Sequence, residues 1–309
     1  MKALVTGGAG FIGSNLSQLL CDEGHQVVVL DDLSSGHRQL VDQRAELVEG
    51  AIEDSKLLSE ILPGIEVVFH LAATSTITYS LTNPRKYFEN NFINGVILLE
   101  AMKKADVGKI VYSSSASSYG NSDERPLKEN DLTEPINPYG ASKYSFEHVL
   151  SSYHRCFGIN SVSLRYFNVY GPNDEQKNNT RAVPKWVRAA LQNKPLTLYW
   201  KGEQKRDYIF VRDIVLANLM AALNCNGFDV YNVGNGRGVW MKDIVKKLEE
   251  IVGRELTIED AGERPGDPKF AMADISKIKE KLGWHPTIDL ETGLKITVDY
   301  FKTRITENL

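Results

Sequence analysis

Cysteine is scarce in this chain, metal-ligand spacing is missing, and no apolar run approaches the length of a membrane span. The three cysteines, Cys21, Cys156 and Cys225, are odd in number and far apart. That excludes a disulfide framework and a Cys/His metal pattern. None lies in a motif that would activate a thiol, so all three read as buried bystanders, and a reducing cytoplasmic setting is the expectation. No stretch reaches the roughly 18–20 apolar residues of a spanning helix. The N-terminus passes from one Lys directly into Ala3-Leu4-Val5 and then glycines, without the apolar segment and cleavage site of a signal peptide. Strong net charge is lacking too. A balance of −4, with a pI near 5.9, gives the chain as a whole nothing to attract nucleic acid or anionic lipid. There is no internal repeat, low-complexity tract or flexible linker.

What is present is an ordinary globular composition, 42% hydrophobic and 25% charged over 309 residues. It suffices for one large domain, or a domain plus a smaller lobe. The first half alternates short β-branched runs (2–6, 26–30, 46–48, 67–71, 109–113) with helical stretches such as 13–23 and 56–61. Such alternation predicts βαβ units and a parallel sheet covered on both faces. A helix over 86–104 places Phe88, Phe92, Val96 and Leu99 in one buried stripe, and a second helix begins at Pro138. A strand over 161–166 follows. After residue 172 the pattern changes to a polar loop (173–181), a helix over 184–192, a short strand over 196–199, the segment Val233-Gly234-Asn235-Gly236, and a last helix over 290–302. The expected architecture is α/β: a Rossmann-like doubly wound parallel sheet over 1–172 and a smaller α/β lobe over 173–309. Some segments cross between the two, and a cleft separates them.

The first strand runs into Gly7-Gly8-Ala9-Gly10-Phe11-Ile12-Gly13 and then a helix. Such a turn needs freedom in φ, backbone N–H groups that a pyrophosphate can approach, and a last Gly that lets helix and strand pack closely. Asp31 stands at the end of the next strand, where a carboxylate accepts from the adenosine ribose hydroxyls and repels a 2′-phosphate. NAD is therefore favoured over NADP. Asp32 beside it reads more simply as a solvated neighbour. Farther on, Pro138-Tyr139-Gly140-Ala141-Ser142-Lys143 opens a helix that Asn137 can cap. Tyr139 and Lys143 share a face, so an ammonium can lower the phenol's pKa and make Tyr139 a general base. Taken alone, that spacing is a common surface coincidence. The serine-rich strand end Tyr112-Ser113-Ser114-Ser115-Ala116 changes its weight, because open α/β sheets place ligands at such ends.

With the glycine loop, Ser115, Tyr139 and Lys143 in one chain, the sequence resembles the extended short-chain dehydrogenase/reductases. Within them it is most similar to the nucleotide-sugar epimerases and dehydratases, in particular the UDP-glucose and UDP-N-acetylglucosamine 4-epimerases. The likeness spans essentially the whole chain. It includes Leu30-Asp31-Asp32-Leu33-Ser34-Ser35-Gly36, Phe69-His70-Leu71-Ala72-Ala73, Asn90-Asn91-Phe92-Ile93-Asn94-Gly95, Leu164-Arg165-Tyr166-Phe167-Asn168-Val169-Tyr170-Gly171-Pro172, Arg206-Asp207-Tyr208, Arg264-Pro265-Gly266-Asp267 and Leu282-Gly283-Trp284.

The resemblance implies NAD as a retained cofactor. Gly7, Gly10, Phe11, Ile12 and Gly13 would hold its pyrophosphate, and Asp31, Asp32, Ser35 and Gly36 the adenosine end. Ile52, Leu71, Ala72, Ala73, Asn90 and Ser113 would line the cleft, with Tyr139, Lys143 and Tyr166 around the nicotinamide. It assigns a UDP-sugar to Ser75, Ser115, Tyr139, Asn168, Val183, Thr197, Tyr199, Arg206, Arg264, Asp267 and Ala271, with the guanidinium forks on phosphate oxygens. Relatives that dehydrate or decarboxylate carry an acid just after the triad serine. Here Ala116 and Ser117 follow Ser115, which points to oxidation and re-reduction at C4, with Tyr139 taking the 4-hydroxyl proton and no metal required. Ala271, seven after Arg264, stands where a Tyr restricts related enzymes to plain hexoses, so N-acetylated sugars are expected to fit. The segment Ala182-Val183-Pro184-Lys185-Trp186 points the same way.

A homodimer through the helices at 86–104 and Pro138–Phe157 is implied as well, with Leu98 and Met102 on a second apolar face of the first. Three positions depart from the family pattern. Ala51 stands where an Asp is usual near the adenine, Trp200 where Gly is usual beside the uracil pocket, and Trp240 where Ser is usual. Two competing readings stay open: a reductase or other epimerase of sugar nucleotides, and a non-catalytic NAD-binding regulator.

Overall fold

The structure is a computed structural model that describes residues 1–175, 181–263 and 266–307. The first half builds β1 (Lys2–Thr6), α1 (Phe11–Asp22), β2 (Gln26–Asp31), β3 (Glu46–Glu49), α2 (Ser55–Ile61) and β4 (Val67–His70). Then come α3 (Ile77–Thr82), α4 (Pro84–Phe88), α5 (Asn94–Lys104), β5 (Lys109–Ser115), α6 (Pro138–Phe157) and β6 (Asn160–Tyr166). The second half adds β7 (Asn168–Tyr170), α7 (Ala182–Leu191), β8 (Leu196–Leu198), β9 (Lys205–Phe210), α8 (Val211–Leu223) and β10 (Phe228–Val233). It ends with β11 (Gly238–Trp240), α9 (Met241–Val252), β12 (Ile258–Asp260), β13 (Phe270–Ala271), α10 (Ser276–Leu282) and α11 (Leu290–Glu307).

Seven parallel strands form the main sheet in the order β10-β6-β5-β4-β1-β2-β3. Their near-continuous Val, Leu and Ile content fits strands buried on both faces. One face packs on α1 and α8 through Leu16, Leu20, Ile214 and Val215, and the other on α2, α5 and α6 through Leu58, Leu98, Phe146 and Leu150. This is the doubly wound architecture the alternation predicts. Its last strand, β10, and one covering helix, α8, come from beyond residue 173. A second core joins α7, α9 and α11 to the short strands β8 and β9 around Trp186, Leu196, Leu248 and Phe301. Among the described residues no helix is long and apolar enough to cross a membrane.

The expected 86–104 helix is interrupted. Glu89–Ile93 forms a π-helical turn between α4 and α5, and such turns change the register of everything beyond them. The buried positions are therefore Tyr87, Asn91, Gly95, Leu98, Leu99 and Met102, while Phe88 is 39% exposed and Phe92 and Val96 are half-buried. The single stripe of Phe88, Phe92, Val96 and Leu99 is thus corrected, and Leu98 and Met102, expected on a second apolar face that pairs two chains, lie fully buried in this chain's own core. The π turn aims Asn91 at the loop after β4: its Oδ1 accepts from Thr74 N at 2.8 Å and its Nδ2 donates to Ser142 Oγ at 3.0 Å. Cys21 and Cys225 are buried as expected, but Cys156 is exposed near the end of α6.

Candidate active site

Two adjoining cavities lie at the C-terminal ends of the parallel strands. The larger, about 770 Å³, is floored by the turn from β1 to α1. Gly7 has a φ of +71°, and a Cβ there would sit 2.7 Å from Ala72 N; a Cβ on Gly13 would sit 2.2 Å from the Gly7 carbonyl oxygen. Only hydrogen fits at either place, which leaves the N-terminus of α1 open to the cavity, as an anion requires. Asp31 closes one end. Its Oδ2 accepts from Ala9 N and its Oδ1 from Leu33 N, both at 2.9 Å. Burial pushes its pKa up, while those two N–H groups pull it back down.

Phe11, Ile12, Asp32, Ser35, Ile52, Leu71, Ala72, Ala73, Asn90 and Ser113 all line this cavity, as do Gly7, Gly10 and Gly13. Gly36 does not. It packs under the turn, where a Cβ would meet the Ala9 backbone at 2.8 Å. Asp32 is exposed and accepts from Ser34 N and Oγ, a local turn at the cavity's rim. Ala51 lines the wall beside Ile52 and Glu53. The glycine cradle, the buried acid and an elongated groove of this volume fit a dinucleotide.

Ser115 ends β5, and its Oγ accepts from Ser117 N at 3.1 Å, which turns the chain away from the sheet. Asn137 caps α6, accepting from Gly140 N at 2.8 Å, so the helix starts at Pro138 and carries Tyr139 to the place where the two cavities meet. The electrostatics differ from the expected pairing. Lys143 Nζ donates to Ser113 Oγ at 3.3 Å and lies 4.6 Å from the Tyr112 ring centre. Burial lowers the Lys143 pKa to about 7, with Glu147 opposing. Burial raises that of Tyr139, and the Ser115 hydroxyl and the Arg181 charge work the other way. The expected lowering of the phenol by the Lys143 ammonium is thus corrected. The ammonium is itself desolvated and turned towards β5.

The second cavity, about 350 Å³, is lined by Ser75, Ser115, Tyr139, Asn168, Val183, Thr197, Tyr199, Arg206, Asp267 and Ala271. Arg264 lies outside the described residues, as does part of the polar loop at 173–181. Arg206 Nη2 donates to Asp267 Oδ1 at 3.2 Å, so these two site residues hold each other. Ala271 is the register partner of Arg206 across β13 and β9. Next to Arg206, the fully buried Asp207 accepts from Asn235 N, Gly236 N and Ala273 N, which ties the glycine-bearing segment to the end of β13.

Ile12, Ser75, Ser114, Tyr139, Tyr166 and Arg181 line both cavities. Arg181 and Gln204 are among the cavity residues that sequence reasoning missed. Arg181 is ion-paired with Asp174 at 2.8 Å and lies 5.4 Å from the Phe11 ring centre, a placement that only tertiary structure produces. Trp200 lines neither cavity. Its φ of +45° and the +51° of Lys201 form a tight turn ahead of Gly202. Trp240 packs edge-on to Phe270, with Lys205 and Lys242 near its ring.

A dinucleotide groove and a second pocket that share the half-buried Tyr139 define a nicotinamide-dependent enzyme of the short-chain dehydrogenase/reductase fold. The profile of the NAD dependent epimerase/dehydratase family matches residues 3–234. The UDP-glucose 4-epimerase of Corynebacterium glutamicum is 35% identical over 308 residues, covering 94% of this chain and 93% of its own length. The structure of Thermotoga maritima UDP-glucose 4-epimerase with UDP-glucose is 38% identical and superposes with a TM-score of 0.93 over 99% of this chain and 100% of that one. The UDP-N-acetylglucosamine 4-epimerase of Methanobrevibacter ruminantium, in complex with UDP-N-acetylmuramic acid, is 34% identical, with a TM-score of 0.93 over 98% of each chain. The chain belongs to the NAD-dependent epimerase/dehydratase family. It is an enzyme of the isomerase class, and its cofactor is NAD.

Proposed function

We propose that this NAD-dependent UDP-sugar 4-epimerase interconverts UDP-N-acetylglucosamine and UDP-N-acetylgalactosamine, with UDP-glucose and UDP-galactose as further substrates. The observation that carries the 4-epimerase reading is Tyr139 at the meeting of the two cavities beside Ser115 of the second, with Ala116 and Ser117 rather than a carboxylate following that serine. Bound NAD supplies the acceptor, and then the donor, of a hydride at C4. Ser115 and Tyr139 hold the C4 oxygen, and Tyr139 takes its proton and later returns it. Lys143 sits on the cofactor side of Tyr139 and orients the nicotinamide ribose. Arg206, Asn168 and the 264–267 segment grip the diphosphate, while Val183, Thr197 and Tyr199 enclose the base. The Ala271 side chain leaves room for an N-acetyl group at C2.

The test is product analysis after incubation with UDP-glucose, UDP-N-acetylglucosamine and UDP-glucuronate. Interconversion of the N-acetylated pair without net use of reduced cofactor is expected. Consumption of NADPH, or inertness towards all three, overturns the reading. The same reading includes a homodimer. Its support is the exposed Phe88 at the end of α4 and Ile93 in the π turn, beside the half-buried Phe92 and Val96.

A further inference from the structure

Ser115, Tyr139, Lys143 and Tyr166 come from three elements: the end of β5, the start of α6 and the end of β6. Behind them lies a buried ion pair that the reaction above does not use. Glu147 is one helical turn past Lys143 and two past Tyr139, on the same side of α6. Its Oε1 accepts from Ser114 Oγ at 2.5 Å and from Arg165 Nε at 3.0 Å, and its Oε2 accepts from Arg165 Nη2 at 2.7 Å. Ser114 and Arg165 are register partners across β5 and β6. Each immediately precedes a cavity residue, Ser115 and Tyr166. Both ions are 4% exposed, and neither lines a cavity.

The structure assigns Glu147 and Arg165 as the positioning pair of the active site: the carboxylate fixes α6 against β5 and β6 so that Tyr139 and Lys143 meet Ser115 and Tyr166, and it serves as the counter-charge of Lys143. The assignment rests on the 4-epimerase reading for its effect on turnover, and on the place of Glu147 one helical turn from Lys143 for its effect on the ammonium. A buried ion pair is an expensive way to gain stability, since well-packed apolar residues of similar volume often do as well or better. What this pair adds is geometry, because its hydrogen bonds leave one arrangement of helix and two strands. The remaining groups around the ammonium leave Glu147 as its counter-charge. Burial holds His70 on β4 neutral by lowering its pKa to about 3, and it raises the phenols of Tyr112 on β5, Tyr139 on α6 and Tyr166 on β6. Arg165 on β6 is engaged by Glu147 itself. Against the desolvation that lowers Lys143, Glu147 is the group that raises it.

The test uses NAD-loaded protein with 13C-labelled lysine side chains, so that the Lys143 midpoint is read by NMR beside kcat, KM and melting temperature. Glu147→Gln is expected to lower kcat roughly tenfold or more with KM within about threefold. It should also move the Lys143 midpoint, and the alkaline limb of kcat, down by about one unit. The double variant Glu147→Gln/Arg165→Met, which leaves no lone buried charge, should recover melting temperature without recovering kcat. Glu147→Asp, with the carboxylate withdrawn by one methylene, should show the same changes in smaller measure, and it decides the matter if Glu147→Gln fails to fold. Folded variants with wild-type kcat and an unmoved Lys143 midpoint overturn the assignment. Wild-type protein inert on every UDP-sugar overturns the functional reading instead, and the lysine midpoint still decides the counter-charge.

Discussion

Ala271 sits directly across from Arg206 in the parallel pairing of β13 with β9, so the smallest wall of the second cavity is registered to its buried guanidinium. A large side chain at 271 would project into the second cavity, where the sugar's C2 substituent is proposed to lie. Ala271→Tyr is expected to lower kcat/KM for UDP-N-acetylglucosamine by about a hundredfold while leaving UDP-glucose within about threefold. Steady-state kinetics on the two substrates check this. Equal losses on both would mean that residue 271 does not border the C2 substituent.

Tyr139 is proposed as the proton acceptor at the C4 oxygen, so Tyr139→Phe removes that function while keeping the ring. Turnover is expected to fall by about a thousandfold or more, with bound NAD and UDP-sugar affinity nearly unchanged. Single-turnover assays and NAD release on denaturation measure the two separately. Retention of a tenth of wild-type turnover would take Tyr139 out of the role.

Asp207 is buried among backbone N–H donors, yet burial outweighs them and raises its pKa from 3.8 to about 6. The native carboxyl therefore binds a proton that the unfolded chain releases between those values. Its contribution to stability is whole below the unfolded pKa and is lost as pH rises through about 6. Asp207→Asn does not titrate and is less stable throughout. Its deficit against wild type is expected to shrink by about 2 kcal/mol between about pH 4 and pH 7. Paired denaturant melts across that range give the answer, and a deficit that grows with pH would show that the N–H donors win.

The apolar face around Phe88 and Ile93 bears on assembly. Light scattering at micromolar concentration is expected to give twice the 34.6 kDa chain mass. Phe88→Glu should shift the species towards monomer while leaving the chain folded. A wild-type monomer would leave that face without its proposed partner.

The parallel sheet was readable because fully buried strands show themselves as short β-branched runs with glycines between them. The two ends of the site were readable for a different reason. The Gly7–Gly13 turn and the Pro138 helix start are local motifs whose chemistry is complete within a few residues. What escaped was whatever depends on neighbours distant in sequence. The π turn at Glu89–Ile93 carries no propensity signal, and the contacts Asn91 makes from it reach Thr74 and Ser142, distant in sequence. Lys143 was on the correct face, but its charge state follows from burial against β5. Arg181 ends a polar loop, and nothing near it in sequence shows that it will lie over Phe11 and against both cavities.

The strand β10 also determines when the molecule can be completed during synthesis. It pairs with β6 along the whole of Phe228–Val233, and α8 lies over α1. A nascent chain that has emerged only as far as residue 172 therefore carries a finished glycine turn and a finished Tyr139 helix, yet it shows a raw strand edge and a bare helix face. Such edges template pairing between chains. The ribosome must deliver about 60 further residues before the edge is closed. Nascent chains cut short in that interval are the ones expected to need a chaperone.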